Sequence, residues 1–307
     1  MKNIVIIGSS NTDMIIKLSR IPKPGETILG GDFSIAPGGK GANQAVSAAR
    51  AGGKVVFIAR VGDDMFGKQA VEGFIADSIN TENIITDKTA SSGVALIFVD
   101  KAGENSIAVA SGANANLMPS DIDKVKDVIA SAGIVLMQLE IPIETIRAAV
   151  EIAANGGAKV ILNPAPAQRL NDDLLRNISI ITPNETEAEM LTGVKVEDEC
   201  GAEKAAGILL AKGIETVIIT LGSRGVYVAD ADFRGMVPSF SVNAEDTTAA
   251  GDVFNGVLSV ALAEKMMFTD AVRFSNAAAA LSVTKLGAQT SAPYREDIEA
   301  FLKMRTP

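Results

Sequence analysis

The sequence predicts an α/β fold: a doubly wound, mostly parallel sheet flanked by helices, with a small antiparallel sheet inserted at one edge. Three observations predict it. Short apolar, β-branched runs alternate with segments of helical period, the pattern of strand–helix–strand units. The runs are apolar at consecutive positions, as strands covered on both faces are. Two stretches, residues 11–37 and 93–110, break the rhythm and belong to something else. With 307 residues, 47 % of them hydrophobic and 21 % charged, the chain is too apolar for disorder. It is long enough to bury a large core without disulfides or a structural metal.

The apolar runs come in the order Ile4–Ile7, Val55–Ala59, Ile134–Leu139, Lys159–Leu162, Ile178–Ile181 and Thr216–Leu221. Helical patterns lie between them. In 143–154 the positions Ile143, Ile146, Val150 and Ala153 share one face. In 202–212 Ala205, Ile208 and Leu209 do so, and Gly213 stands just past the last turn as a C-cap residue. A further helix is expected to open at Asp252, because positions 253, 254, 257, 258, 261 and 262 are apolar. Residues 11–37 alternate apolar and polar (Met14, Ile16, Leu18) around Pro22, Pro24 and Gly25. Residues 93–110 read as a hairpin about a polar turn at Asp100–Asn105. We expect these two stretches to form a lid. A small sheet leaves one face wet, so that face covers a ligand, packs on the core or pairs with another subunit.

Composition removes whole classes of chemistry. There is no His, so Ser-His-Asp triads, Cys-His pairs, His-ligated zinc and imidazole acid–base work are excluded. The single Cys, Cys200, permits neither an intrachain disulfide nor a Cys-rich zinc site, and it reads as a surface or helix-start residue. A base acting near neutral pH must be Asp, Glu, Lys or Tyr. The net charge of −9 argues against non-specific nucleic-acid or anionic-membrane binding. The first apolar run is too short for a signal-peptide core, and no stretch is long enough to cross a bilayer. A cytoplasmic location is the expectation.

Ligands of open parallel sheets bind beyond the carboxyl ends of the strands. The residues that follow the runs there are Asn11 and Asp13, Glu140, Asn163, Asn184 and Glu187, and Gly222-Ser223-Arg224-Gly225. The strongest segment is Asp246-Thr247-Thr248-Ala249-Ala250-Gly251-Asp252. Its Ala-Ala-Gly stretch exposes backbone N–H groups at a helix N-terminus, where partial positive charge collects, and so forms a hole for a transferring phosphoryl group. Asp252 beside it is a carboxylate base. Taken alone, Asp252 reads better as an ordinary helix N-cap; Asp246, the small-residue loop and the absence of His together favour the base. A weak base is sufficient in phosphoryl transfer, because the proton moves late and the main task is to hold the hydroxyl in line.

Pro37-Gly38-Gly39-Lys40-Gly41-Ala42-Asn43-Gln44-Ala45 is not a Walker A motif, since Gly41 stands where Ser or Thr should follow Lys40. Nor does the turn after the first run carry the glycines of a dinucleotide fingerprint. Gly38 and Gly39 allow backbone to approach a ligand, or simply allow close packing, while Lys40 and Asn43 supply polar contacts. Asn11, Asp13 and Glu140 suit a polyol, because a carboxylate accepts from two adjacent hydroxyls and an amide both donates and accepts, although each taken singly reads first as an ordinary loop residue. Glu187 suits a water-mediated contact to Mg²⁺ beside phosphates, or a helix start enriched in acids. Thr220 to Gly225 reads as a hairpin turn or a glycine-lined nucleotide contact.

Nearly end to end, the chain resembles the PfkB-type carbohydrate kinases. The resemblance rests on Gly38 to Val46, Met137 to Glu140, Asn163-Pro164-Ala165-Pro166-Ala167, Ile181 to Glu189, Thr220 to Gly225 and Asp246 to Gly256. It implies one kinase domain over 1–307 and ATP-dependent phosphorylation of the 5-hydroxyl of D-ribose; related kinases act on deoxyribose, fructose, keto-deoxy acids or nucleosides. It assigns the sugar to Asn11, Asp13, Gly39, Lys40, Asn43 and Glu140, and the proton to Asp252. ATP falls to Asn184, residues 220–225, Gly251 and Asn276, and Mg²⁺ to the vicinity of Glu187. The same resemblance implies a K⁺ site at Asp246, Thr248, Ser282, Lys285, Gly287 and Ser291, mostly through backbone oxygens, and a homodimer paired through the lid.

Overall fold

A computed structural model describes residues 2–305; Met1, Thr306 and Pro307 lie outside it. In chain order the first half comprises β1 (Ile4–Ile7), β2 (Asn11–Lys17), β3 (Asp32–Gly38), α1 (Lys40–Arg50), β4 (Val55–Gly62), α2 (Met65–Ala76), β5 (Ile84–Asp87), β6 (Gly93–Val99), β7 (Asn105–Ala110), α3 (Pro119–Lys124), α4 (Lys126–Ala130), β8 (Ile134–Met137) and α5 (Ile143–Asn155). The second half comprises β9 (Lys159–Leu162), α6 (Asp172–Leu175), β10 (Ile180–Ile181), α7 (Glu185–Thr192), α8 (Glu199–Ala211), β11 (Thr216–Thr220), β12 (Val226–Ala229), β13 (Arg234–Val237), α9 (Ala250–Ala263), α10 (Phe268–Ser282) and α11 (Arg295–Arg305).

Among the described residues the main sheet has the order β13-β12-β11-β10-β9-β8-β1-β4-β5. It is parallel from β11 to β5 and ends in an antiparallel hairpin, β12–β13. Alternate residues of each strand feed different cores. Val5, Ile7, Val135 and Met137 pack with α3 to α8, whereas Ile4, Ile6, Ile134 and Leu136 pack with α1, α2, α9, α10 and α11. That two-sided burial is why the strands are apolar at consecutive positions. The connectivity reverses at β1, which lies between β4 and β8. The crevice at such a switch point is where the carboxyl ends of the strands deliver their loops.

The second sheet has the order β3-β2-β6-β7. Its outer pairs are antiparallel and its central pair, β2–β6, is parallel. The register places Met14 opposite both Ile35 and Leu96, and Ile16 opposite both Phe33 and Phe98, so these six share one face. Asp13, Ala95 and Val109 share the other.

Several boundaries differ from the sequence expectation, among them β4 running on to Gly62 and α8 starting already at Glu199. The run 134–139 leaves the sheet after Met137, where Leu139 N–H turns to donate to Ala165 O (2.8 Å). Only Ile180–Ile181 of the run 178–181 pairs as a strand. The helix assigned to begin at Asp252 begins at Ala250, with Ala249 as its N-cap in the left-handed region (φ 60°). Asp252 is therefore not a capping residue but stands within the first turn.

Candidate active site

Gly38 and Gly39 bring the end of β3 against the loop after β1. A Cβ at Gly38 would collide with the Asp13 carboxylate, and one at Gly39 with the Ser10–Asn11 backbone, where φ is already +88°. Only glycine permits both the approach and the turn. Helix α1 starts immediately after, and Glu140 sits over its N-terminus: Lys40 N–H donates to Glu140 Oε2 (3.0 Å), as does Ser9 Oγ (2.5 Å). Asn11 is fixed from behind by Asn114, whose Nδ2 donates to Asn11 Oδ1 (2.7 Å). Asn114 and Ser9 were not singled out from the sequence. Each becomes meaningful only when β1, β8 and the 112–116 turn converge.

Asp252 is buried on the first turn of α9. Asn43 Nδ2 donates to its Oδ2 (3.0 Å) and Gln44 Nε2 to its Oδ1 (2.9 Å), both from α1. Burial pushes the Asp252 pKa up, against Lys40 and the two amides, which favour its ionised form. Asn43 Oδ1 is buried and has no hydrogen-bond partner among the described residues. Asp13 lies on the same side. Burial, with Glu140 and Asp252 repelling it, raises its pKa to about 6, opposed by Lys40. Lys40, in turn, is held charged chiefly by Asp252, against the cost of its own burial.

Ahead of Asp252 lies the backbone segment expected to form the hole. The first N–H groups of a helix have no carbonyl to meet within it. Ala250 N–H reaches Thr247 O (3.3 Å), and the amides of Gly251 and Asp252 follow at the helix tip. A left-handed alanine costs about 1 kcal/mol, and such strain is characteristic of ligand-binding loops.

Two cavities meet this cluster. The larger, of about 620 Å³, is bounded by Lys40, Asn184, Glu187, the turn Thr220, Gly222, Ser223 and Gly225, the 249–252 loop, and Asn276. Asn276 is set there by donating to the carbonyls of Val237 (3.3 Å) and Pro238 (3.2 Å). Phe240, Val242 and Val283, not anticipated from the sequence, give one wall apolar character. The smaller cavity, of about 440 Å³, is bounded by Asn11, Glu140, Val109 and Gln168.

Of the residues expected to hold sugar or ATP, Asp13, Gly38, Gly39, Asn43 and Arg224 line neither cavity; the Arg224 guanidinium donates instead to Glu197 O (2.7 Å) and Glu185 Oε1 (3.3 Å). Asn184 and Glu187 first cap α7, each side chain accepting from the other's backbone N–H (2.8 and 2.9 Å). Burial raises the Glu187 pKa. The Asp246 carboxylate joins two loops, accepting from Thr248 N–H (2.9 Å) and Gly287 N–H (2.8 Å). Lys285 N–H turns back to Ser282 O (3.1 Å), and Ser291 Oγ donates to Ala288 O (2.8 Å).

Comparison with known proteins gives the family. The family model for pfkB family carbohydrate kinases matches residues 1–295. The ribokinase of Haemophilus influenzae is 50 % identical over 302 residues, covering 98 % of this chain and 99 % of its own. The deoxyribokinase of Salmonella typhi is 38 % identical, covering 98 % and 99 %. Among solved structures, the Arabidopsis thaliana ribokinase complexed with ribose and ATP superposes with a TM-score of 0.93 at 31 % identity, covering 98 % of this chain and 99 % of that one. A buried carboxylate at a helix tip on the wall of the larger cavity, together with a family match over most of the length, places this chain in one family: it belongs to the pfkB family of carbohydrate kinases.

Proposed function

We propose that the protein transfers the γ-phosphoryl group of ATP to the 5-hydroxyl of D-ribose, giving D-ribose 5-phosphate and ADP. The observation that carries this reading is the position of Asp252: buried and amide-clamped, between a polyol-type cluster and a cavity large enough for a nucleotide. In the proposed pose the sugar lies against Asn11, Asp13, the Gly38–Gly39 backbone, Asn43 and Glu140. The unpartnered Asn43 Oδ1 is an acceptor that a sugar hydroxyl satisfies. ATP lies along Asn184, the 220–225 turn and Asn276, with its terminal phosphate over Ala249–Gly251. Asp252 takes the proton of the 5-hydroxyl as the O–P bond forms, and the bond to ADP breaks. Lys40 and the helix-tip amides stabilise charge on the transferring group.

Among the described residues, no three acidic or thiol side chains converge into a metal cage. Mg²⁺ fits instead as the nucleotide's own ion, with the Glu187 carboxylate at the cavity edge to reach it through water. Bound there, it neutralises phosphate charge. The Asp246–Gly287 junction, with Thr248, Ser282, Lys285 and Ser291 around it, offers hard oxygen donors suited to K⁺, whose role is to stiffen the loop that presents the hole. We further propose that the chain works in the cytoplasm as a homodimer. No helix among the described residues is long and apolar enough to cross a membrane. The outer face of the small sheet exposes Phe33, Ile35 and Leu96, and a second copy would cover them.

A coupled assay of ADP formation across D-ribose, 2-deoxy-D-ribose, D-fructose and nucleosides tests the substrate assignment. Asp13 can accept from two neighbouring hydroxyls, so D-ribose is expected to give the highest kcat/KM. A higher value for 2-deoxyribose, which has lost one of that pair, would overturn it.

A further inference from the structure

Behind the base lies a chain of buried amides that never meets either cavity at its origin. Gln138, directly after β8, donates from Nε2 to Gln44 Oε1 (2.5 Å). Gln44 Nε2 then spends its two hydrogens on Asp252 Oδ1 (2.9 Å) and Asn163 Oδ1 (3.1 Å). Asn163 Nδ2 donates to Thr182 O (3.1 Å), Thr182 Oγ1 to Asn255 Oδ1 (2.7 Å), and Asn255 Nδ2 to Gly251 O (2.8 Å). Gln44 is the branch point: its oxygen accepts from Gln138 and its nitrogen serves both Asp252 and Asn163, so its orientation is set by its partners, while Gln138 Oε1 is left buried without a hydrogen-bond partner among the described residues. Gln44 and Gln138 are fully buried. A buried glutamine on the Ala-rich face of α1 is costly unless its hydrogen bonds are met, and here they are met by Gln138, Asn163 and the base.

We propose that Gln44 is a positioning residue for Asp252. Held by Gln138 and Asn163, its amide fixes the direction in which the carboxylate faces, and the relay through Thr182 and Asn255 ties that direction to the Gly251 peptide at the anion hole. Gln44 does not line either cavity. It acts through Asp252, whereas Asn43 also presents an unpartnered oxygen suited to the sugar. The relay runs along the carboxyl ends of β8, β9 and β10, so base and hole are aimed by the same rigid sheet edge. A misplacement of about 1 Å in such a pair costs roughly 100-fold in rate.

The inference rests on Asp252 being the base of the proposed transfer, and the experiment separates the two. Wild type, Asp252→Asn, Gln44→Leu and Gln138→Met are compared in full kcat and KM measurements with D-ribose and ATP between pH 5 and 9. Gln44→Leu keeps volume but removes the donor. Its kcat is expected to fall about 10- to 100-fold, with both KM values within about threefold of wild type. The acid limb of kcat should move to higher pH, because a lost donor disfavours the ionised carboxylate. Gln138→Met, which frees Gln44 without touching Asp252, should move kcat and the limb in the same directions by less, and it decides the matter if Gln44→Leu does not fold. An inactive Asp252→Asn alongside a folded Gln44→Leu with the wild-type kcat and limb overturns the positioning role alone. So does a loss confined to KM. An active Asp252→Asn overturns both readings.

Discussion

At the scale of single residues, the site is a balance of four carboxylates around one lysine. Asp13, Glu140, Glu187 and Asp252 all act on Lys40, and Lys40 favours the ionised form of Asp13, Glu187 and Asp252. Replacing Lys40 with Met should therefore both weaken phosphate stabilisation and raise the pKa of Asp252, lowering kcat by about 100-fold or more at pH 7 and shifting its acid limb upward; steady-state kinetics across pH checks it. Asp13 gives a test in the opposite sense. Its pKa rises from 3.8 to about 6 on folding. Both states are protonated below pH 3.8, so no stability is lost there. The ionised form becomes costly as pH rises through about 6, and the cost is complete above it. Asp13→Asn should then stabilise the sugar-free protein at pH 8 by up to about 3 kcal/mol, several degrees in Tm, and lose that gain near pH 4. It should also lose sugar affinity, since an amide cannot accept from two hydroxyls as a carboxylate does. Thermal melts at the two pH values, with ribose titrations by calorimetry, measure both effects.

At the scale of elements, the small sheet has two apolar faces with different tasks. Ile107 and Val109 share the face of Asp13 and stand exposed, Val109 at the rim of the smaller cavity. Closure over a sugar would cover them. Phe33, Ile35 and Leu96 lie on the opposite face. Phe33→Asp with Leu96→Asp is expected to convert a dimer to a monomer, read by light scattering, while leaving the Asp252 chemistry intact. A mass for wild type equal to that of one chain would remove the proposed pairing. This element was legible in the sequence because alternation in 11–37 and a hairpin turn in 93–110 are local signals. The strands β5 and β13 were not. Ile84–Asp87 is short and half exposed, and Arg234–Val237 carries a glycine at its second position, so neither shows the consecutive apolar run of a central strand. Both lie at sheet edges, where burial no longer shapes the sequence. Within the site the same distinction holds. Asp252, Gly38, Gly39 and Asn11 could be read from their neighbours in the chain. Gln44 and Asn114 could not be assigned roles, since their partners are 208 and 103 residues away. A fully buried polar residue on an alanine-rich helix face was the available clue.

At the scale of the whole molecule, the fold places the larger cavity, proposed for the nucleotide, and the Asn11–Asp13–Glu140 cluster, proposed for the sugar, at one edge of one sheet, with the tip of α9 on the wall of that cavity. Both cores are continuous with that edge: Ile7 and Met137 lead into the Asn11 and Glu140 loops, and Val253 and Phe254 anchor the helix behind Asp252. The Asp246 junction extends the rigid frame to the C-terminal helices, so K⁺ is expected to raise kcat several-fold over choline at equal ionic strength. Asp246→Ala should remove that response, and identical rates in both salts would count against the cation site. The central claim is that the Asp252 carboxylate directs a pentose hydroxyl at the γ-phosphorus. Phosphorus NMR of the product, run beside calorimetric ribose binding for wild type and Asp252→Asn, tests it most directly. Wild type should form D-ribose 5-phosphate, and the variant should bind ribose within about threefold of wild type yet form product at least about 1,000-fold more slowly. A variant that phosphorylates at the wild-type rate, or a wild-type product carrying phosphate on another oxygen, would contradict the account.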